Sequence, residues 1–180
     1  MSEFLPEGYT VPDNNNYFKF KEGENTFRIM SSAIIGYEYW TNDKKPVRSK
    51  DHFESTPNIK LDKDGKPTKV KHFWAFVVWN YKSNSIQILQ VTQSSIQGAI
   101  KALVDNEKWG TPMGYDITVT RVGDGLDTEY STMPNPHLEV AEEIKTAHRT
   151  KKVNIEALYD GEDPFEGDKE KTADPADIGF

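Results

Sequence analysis

The sequence predicts a mainly β domain with one helix in the middle of the chain and a second near its end. Three observations predict this fold class: runs of alternating β-branched and aromatic residues, turns rich in glycine, proline and asparagine between them, and two stretches with helical spacing of apolar residues. With 180 residues, the chain is long enough for one domain with a single core.

The first half of the chain contains two predicted strands and a long polar segment. Residues 17–20 suit a short strand, and the turn KEGEN at 21–25 leads into residues 26–40, which are predicted as one long strand with a coil or bulge at Gly36. Residues 41–71 hold nine basic residues and are predicted as a long basic loop. Loops of this length are usually functional or disordered.

The second half begins with the strongest strand pattern, His72–Tyr81. The elements predicted after it are a strand at 86–91, a helix that Thr92 or Ser94 can cap and that has apolar residues up to Val104, strands at 115–122 and 128–133, and a helix at 138–148. This order of three strands, a helix and two strands is that of the OB-fold, a five-stranded barrel with a helix between strands three and four.

The negative charge is concentrated at one end of the chain. Residues 156–180 carry nine carboxylates and two lysines, and 2 − 9 = −7 is the formal charge of the whole chain. Residues 1–155 are therefore balanced, and the acidic pI does not argue against a nucleic-acid partner for the body. The predicted organisation is an OB-fold domain at 1–160, with 1–16 as a flexible arm, and a disordered acidic C-terminal tail at 161–180.

Composition excludes several classes of site. The absence of cysteine excludes disulfides, thiolate catalysis and cysteine-based zinc sites. The four histidines lack metal-site spacing, so structural roles are expected for them, and DKDG at 62–65 suits a hairpin turn better than a calcium loop. No cofactor is expected. No run approaches the roughly 20 apolar residues of a membrane span and no signal peptide is visible, which predicts a cytosolic protein without a membrane partner.

The strand at 72–81 is apolar on both of its sides. If the following hairpin loop has an even number of residues, the side with Phe73 also carries Ile86, and this side is predicted as core. The other side carries Trp74 and Phe76 among polar neighbours, and it is predicted to be an exposed ligand surface. The alternative is that both rings pack under the basic loop or a C-terminal helix.

Exposed rings beside a basic loop suit single-stranded nucleic acid, because bases stack on rings and cations follow the phosphates. The predicted DNA-binding residues are Trp74 and Phe76, with Trp40 as a weaker third, for stacking, Gln87 for base edges, and Arg28, Lys44, Lys45, Arg48, Lys50, Lys69, Lys71 and Arg121 for phosphates. Arg28 and Arg121 are included because their neighbours in each strand alternate inward. The alternative for the basic loop is a solvated insertion with no partner.

Six stretches that cover most of the chain are LPEGY at 5–9, KEGENTFRIMSSAIIGYEYW at 21–40, KKPVRS at 44–49, HFWAFVVWNY at 72–81, LQVTQSSIQGAI at 89–100 and WGTPMGYDITVTRVGDGLDTEY at 109–130. In these stretches the chain resembles bacteriophage single-stranded DNA-binding proteins. The resemblance implies an OB-fold that coats single strands without sequence specificity during phage DNA replication, recombination and repair, in the cytoplasm of the bacterial host. It implies no catalytic residues. A zinc-bearing subtype is excluded by the absence of cysteine.

The sequence DPADIGF at 174–180 is similar to the tails of bacterial and phage single-stranded DNA-binding proteins. This similarity implies that Asp174, Asp177, Ile178 and Phe180 bind replication and recombination proteins, with the ring in an apolar pocket and the acids steering the approach. Gly179 replaces the proline of bacterial tails, which leaves docking in a bacterial-type pocket open. A second hypothesis is that the tail occupies the cationic groove when DNA is absent, and the alternative is a solubilising tail.

Two other classes of function are open at this point. An OB-like adaptor for proteins would use the aromatic surface without binding nucleic acid. A metal-dependent enzyme would use Asp116, Asp124 and Asp127, but no cluster of His or Glu accompanies them, and a turn containing Asp and Gly explains the last two. The protein is therefore expected not to be an enzyme.

Overall fold

A computed structural model describes residues 4–5 and 16–165. Its strands are β1 Gly23–Ile29, β2 Ile34–Trp40, β3 Pro46–Ser49, β4 Lys71–Asn80, β5 Ser85–Val91, β6 Tyr115–Val122 and β7 Glu129–His137. The helices are α1 Ser94–Val104 and α2 Glu142–Thr150, and 3-10 turns span Pro112–Gly114, Gly125–Asp127 and Ile155–Asp160. The mainly β class and the helix between β5 and β6 are confirmed.

The strands form one open antiparallel sheet in the order β3-β2-β4-β1-β6-β7, and β5 pairs with β4. Strand β4 is the centre of this sheet because it pairs with three strands. Along one edge it pairs with β2, where Ala75 lies beside Ile34, and with β1, where Val78 lies beside Ile29. Along its other edge it pairs with β5. Within the described residues no pairing of β5 with β7 closes the sheet. The predicted closed five-stranded barrel is therefore wrong.

The predicted long strand at 26–40 is broken between β1 and β2. The backbone N–H of Met30 donates to the Val77 carbonyl at 2.8 Å, and the Ser31 hydroxyl accepts from the Val77 N–H at 2.9 Å. The side chain of Ser31 thus takes the place of a backbone partner, and the pairing of β1 with β4 ends here. The break does not fall at Gly36. That residue instead lets β2 and β3 approach closely, because a Cβ there would overlap the Ser49 carbonyl oxygen.

The basic segment at 41–71 is largely organised rather than a plain loop, and we call it the excursion. It contains β3 and two isolated bridges, Thr41 to Ile59 and Leu61 to Pro67. The hairpin turn predicted at 62–65 is confirmed, since the Asp62 carboxylate accepts from the Lys66 N–H at 2.9 Å and Gly65 has a φ of 77°.

Both sides of β4 are covered. The faces of β4 and β5 match as predicted for a loop with an even number of residues, with Trp79 opposite Ile86 and Phe76 opposite Leu89. The inner face of the sheet, which carries Phe76, packs on Ile96 and Ile100 of α1 and forms the main core. The prediction of an exposed surface on this side is wrong because α1 and the strands β1 and β6 enclose it.

The outer face of the sheet carries Phe73, Ala75, Val77 and Trp79, and the C-terminal part of the described chain covers it. Ile144 of α2 packs against Val77 and Trp79, while Leu158 and Phe165 pack against Phe73 and Ala75. Phe165 is only 2% exposed, so the chain contacts the body beyond the boundary predicted at residue 160. In the part of the chain described, no helix is long and apolar enough to cross a membrane.

Candidate nucleic-acid interface

Most of the predicted phosphate contacts come together at one end of the sheet, which we call the β2–β4 end. Its members, from β2, the excursion and the start of β4, are Trp40, Lys44, Lys45, Arg48, Lys50, Lys69 and Lys71. Glu38 pairs with both Arg48 and Lys71 in the two ladders, and Trp40 lies two residues further along β2. These side chains therefore leave the sheet on its outer face.

Trp40 is the exposed aromatic residue of this outer surface. Its side chain is 43% exposed, while its backbone is held on both sides, by the Pro46 pairing in β3 and by the Lys60 N–H, which donates to the Trp40 carbonyl at 2.7 Å. The backbone is thus fixed and the indole is available. Trp40 was the weakest of the stacking predictions, and it is the one whose ring the structure leaves accessible on this face.

Exposed lysines lie in the segments next to Trp40 at this end of the sheet. Lys44, Lys45, Lys69 and Lys71 are all exposed, and within the described ranges none of them forms an ion pair. Unpaired ammonium groups keep their full hydration and charge, which is what a phosphate contact with counterion release requires.

Arg48 has a different role from these lysines. Its Nε–H donates to Glu38 Oε2 and to Gln90 Oε1, each at 3.1 Å, and the Gln90 amide donates to Glu38 at 2.7 Å. The guanidinium carbon also lies 5.9 Å from the centre of the Phe73 ring. Since the side chain is only 10% exposed, Arg48 mainly neutralises the buried Glu38 carboxylate.

Lys50 lies at the border of an acidic region. Its ammonium is 5.4 Å from the centre of the Tyr159 ring. A cavity of about 460 Å³ beside it is lined by Lys50 and Arg48 together with Glu156, Asp160 and Glu162. The surface that favours phosphate therefore does not include Arg48 or Lys50. It consists of Trp40 with Lys44, Lys45, Lys69 and Lys71.

The prediction of Arg28 as a phosphate contact is wrong, because its side chain is buried. Its Nη1 lies 3.1 Å from Asp116 Oδ1, and its other N–H groups donate to the carbonyls of Met113 and Leu138. Strand alternation placed Arg28 on the outer face correctly. The segment around Leu138 covers that face, which the alternation could not show.

Tyr81 completes the buried network around Arg28. Its hydroxyl donates to Asp116 Oδ1 at 2.8 Å. Burial, and then the hydrogen bond and charge of Asp116, raise the pKa of Tyr81 to about 12, so it keeps its proton and remains a donor. Two donors on one carboxylate hold the β1–β6 junction together.

Phe76 and Gln87 are also buried, which contradicts the exposed surface predicted for them. Phe76 is 2% exposed in the main core, and Gln87 is 1% exposed and accepts from the Asn80 amide at 3.0 Å. Trp74 is half-buried against the same core. Neither Phe76 nor Gln87 can reach a ligand in this arrangement.

Arg121 lies on β6, outside the β2–β4 end. Its Nη1–H donates to the Phe20 carbonyl at 3.2 Å, and its Nη2 is 3.8 Å from Asp124. The aspartates of the enzyme alternative are thus divided, with Asp116 bound to Arg28 and Asp124 near Arg121. Among the residues that the structure describes, no group of three or more His, Cys, Asp or Glu is placed to hold a metal.

Three rings that the sequence did not single out lie on the opposite side of the β2–β4 end. Tyr37 stacks on His52, and His72 lies beside Tyr37. Alternation along β2 predicts that Tyr37 and Trp40 point to opposite faces, but no sequence signal brings His52 back onto Tyr37. The predicted tail residues Asp174, Asp177, Ile178 and Phe180 lie outside the described residues.

A phage protein is similar in sequence to this chain. No family model and no solved structure matches the chain. A protein of Escherichia phage T5 named "Probable ssDNA-binding protein" is 26% identical over 144 residues, which cover 66% of this chain and 54% of that protein. The chain thus spans about half the length of the curated relative it matches. This similarity confirms the resemblance to phage single-stranded DNA-binding proteins.

Proposed function

We propose that the protein binds single-stranded DNA without sequence specificity at the β2–β4 end. The observation that carries this proposal is the exposed Trp40 indole at the same end of the sheet as Lys44, Lys45, Lys69 and Lys71, which have no ion-pair partner among the described residues. The similarity to the phage T5 protein supports the same class of ligand.

In the proposed mechanism, ammonium groups neutralise phosphates while a base stacks on the indole. Each stacked base contributes about 1–3 kcal/mol, and any base can stack, so the binding does not depend on sequence. Beneath this surface, Arg48 neutralises the Glu38 carboxylate and the Gln90 amide donates a hydrogen bond to it. The buried carboxylate therefore does not repel the strand.

We further propose that the sheet is an opened form of the OB-fold. The support is the strand order: β1 and β2 together act as the first strand, β4 and β5 as the second and third, α1 follows, and β6 and β7 are the last two. The protein would act in phage DNA replication, recombination and repair in the bacterial host cytoplasm, as a coat on DNA rather than as an enzyme.

Titration of fluorescent oligonucleotides tests the binding proposal. We expect single-stranded DNA to bind at low salt, with log K falling against log salt by about 0.7 for each phosphate neutralised. Duplex DNA of the same length and single-stranded RNA are the comparison ligands. An affinity that does not change with salt would remove the proposed interface, and no binding to any oligonucleotide would favour the protein adaptor.

For the tail we propose two roles: competition with DNA for the lysine surface, and recruitment of replication and recombination proteins through Asp174, Asp177, Ile178 and Phe180. The described start of the acidic region supports competition, since Glu156, Asp160 and Glu162 already line a cavity with Arg48 and Lys50.

Removal of residues 168–180 tests both roles while leaving the buried Phe165 in place. We expect tighter DNA binding, most clearly at low salt where charge repulsion is least screened, and loss of partner capture from host extract. A variant with Asp174 and Asp177 changed to Asn separates charge from length. Unchanged affinity in both proteins would contradict competition.

A further inference from the structure

Three rings form a compact set on the inner-face side of the β2–β4 end. The centroids of Tyr37 and His52 are 4.1 Å apart with 29° between the ring planes, and His72 lies 5.2 Å from Tyr37. Tyr37 and His72 are cross-strand partners in β2 and β4, so their side chains leave the sheet on the same side. We call Tyr37, His52 and His72 the ring stack.

The excursion holds His52 in this place. The Asp51 N–H donates to the Ser49 hydroxyl at 3.2 Å, and the Phe53 ring packs edge-on against Tyr39 at 4.8 Å. Tyr39 is buried, and its hydroxyl donates to the Pro57 carbonyl at 3.2 Å. The loop is therefore fixed on both sides of His52, and the imidazole is ordered before any ligand arrives.

One face of the His52 ring is available to a ligand. His52 is exposed, and Tyr37 covers only one side of its ring. Beside the ring stack, Ile35 is 55% exposed and pairs with the half-buried Trp74, which continues the apolar surface. This surface suits a flat, uncharged group.

The charges around His52 favour a base over a phosphate. Asp51 and Glu54 are exposed neighbours of His52 in the chain and would repel a phosphate placed there, while the ammonium of Lys50, two residues before His52, lies over the Tyr159 ring. His72 is fixed differently: its Nδ1–H donates to the Gly36 carbonyl at 2.8 Å, which orients the ring against Tyr37. The stack therefore presents π-faces next to acidic side chains.

We propose that the solvent-facing side of the His52 imidazole stacks a nucleobase of the bound strand, with Tyr37 as the positioning residue. This inference rests on the proposed function. Tyr37 and Glu38 are adjacent in β2 and point to opposite faces, so one strand that passes around the β2–β4 end meets the lysines on one face and the ring stack on the other. A ring fixed before binding loses little conformational entropy when a base stacks on it.

Oligothymidylate and an abasic strand of the same length separate stacking from charge. Both carry the phosphates, but only the first carries bases. We expect His52→Ala to weaken oligothymidylate binding about tenfold, within the range for loss of one stacked base, and to leave abasic-strand binding unchanged. His52→Phe should retain the affinity, since it keeps a planar ring at an exposed position.

Two further variants make the test specific. His52→Lys adds a cation without a ring, so it should bind oligothymidylate clearly less well than His52→Phe. Tyr37→Ala should weaken the binding of oligothymidylate and leave the binding of the abasic strand unchanged. Tyr37→Phe should weaken neither. Wild-type affinity in His52→Ala, or equal recovery by Lys and Phe, would overturn the stacking proposal while the binding function stands. Failure of the wild-type protein to bind either strand would overturn both.

Discussion

Replacement of Lys44, Lys45, Lys69 and Lys71 by alanine is expected to remove most of the salt-sensitive part of single-stranded DNA binding. Each phosphate contact contributes about 0.7 to the slope of log K against log salt. If each of the four ammonium groups neutralises one phosphate, their loss makes the slope shallower by about 3. Over a fourfold rise in salt this corresponds to about a fiftyfold smaller loss of affinity than in the wild-type protein. The slope is measured by anisotropy of a labelled oligonucleotide over a salt series.

A matched control carries the same change of net charge at other places. Lys19, Lys21, Lys82 and Lys108 are exposed lysines outside the excursion, and Lys82 follows β4 at the end opposite Lys71. Their alanine variant should keep the wild-type slope to within about one contact. Equal slopes for the two quadruple variants would show that net charge, and not the surface around Trp40, attracts the strand.

Replacement of Arg28 by methionine is expected to destabilise the fold strongly. The change leaves Asp116, whose side chain is 16% exposed, without its cation, and the carbonyls of Met113 and Leu138 without their donor. Breaking a buried ion pair on one side costs about 3–5 kcal/mol in the free energy of unfolding. For a chain of this size that corresponds to a fall in Tm of roughly 6–20 °C, measured by circular dichroism.

Two comparisons test whether Arg28 contributes to the stability of the fold and not to the affinity for DNA. The double variant Arg28→Met, Asp116→Asn removes the unpaired carboxylate and should recover part of the lost Tm, because neighbouring residues of one network couple by about 0.5–3 kcal/mol. At a temperature where the single variant is folded, its affinity for single-stranded DNA should equal that of the wild-type protein. A large loss of affinity without a loss of Tm would restore Arg28 as a phosphate contact.

Local pattern was sufficient for several of the elements and for the matching of faces in one hairpin. The strand at 115–122 follows from alternation, and the Phe73 face of β4 shares a side with Ile86 because the hairpin loop has an even number of residues. The concentration of lysines in the excursion is a matter of that segment's composition. These features depend on residues close in sequence, and side-chain period and turn chemistry fix them.

The burial of both faces of β4 could not be predicted in this way. The strand is apolar on both sides, so alternation separated Phe73 from Phe76 without telling which side is covered, and the structure covers both. The same limit applies to Arg28, which alternation placed on the outer face but which the segment around Leu138 buries. Burial depends on what packs from elsewhere in the chain.

The sequence by itself determined the hairpin of β4 and β5, the middle helix, the strand β6, the basic character of the excursion and the resemblance to phage single-stranded DNA-binding proteins, because each rests on neighbouring residues. Only the tertiary structure decided that the sheet is open, that Phe76, Gln87 and Arg28 are buried, and that His52 returns onto Tyr37. Contacts between residues far apart in sequence make those decisions, since a side chain's exposure is a property of its neighbours in space and not of its own strand.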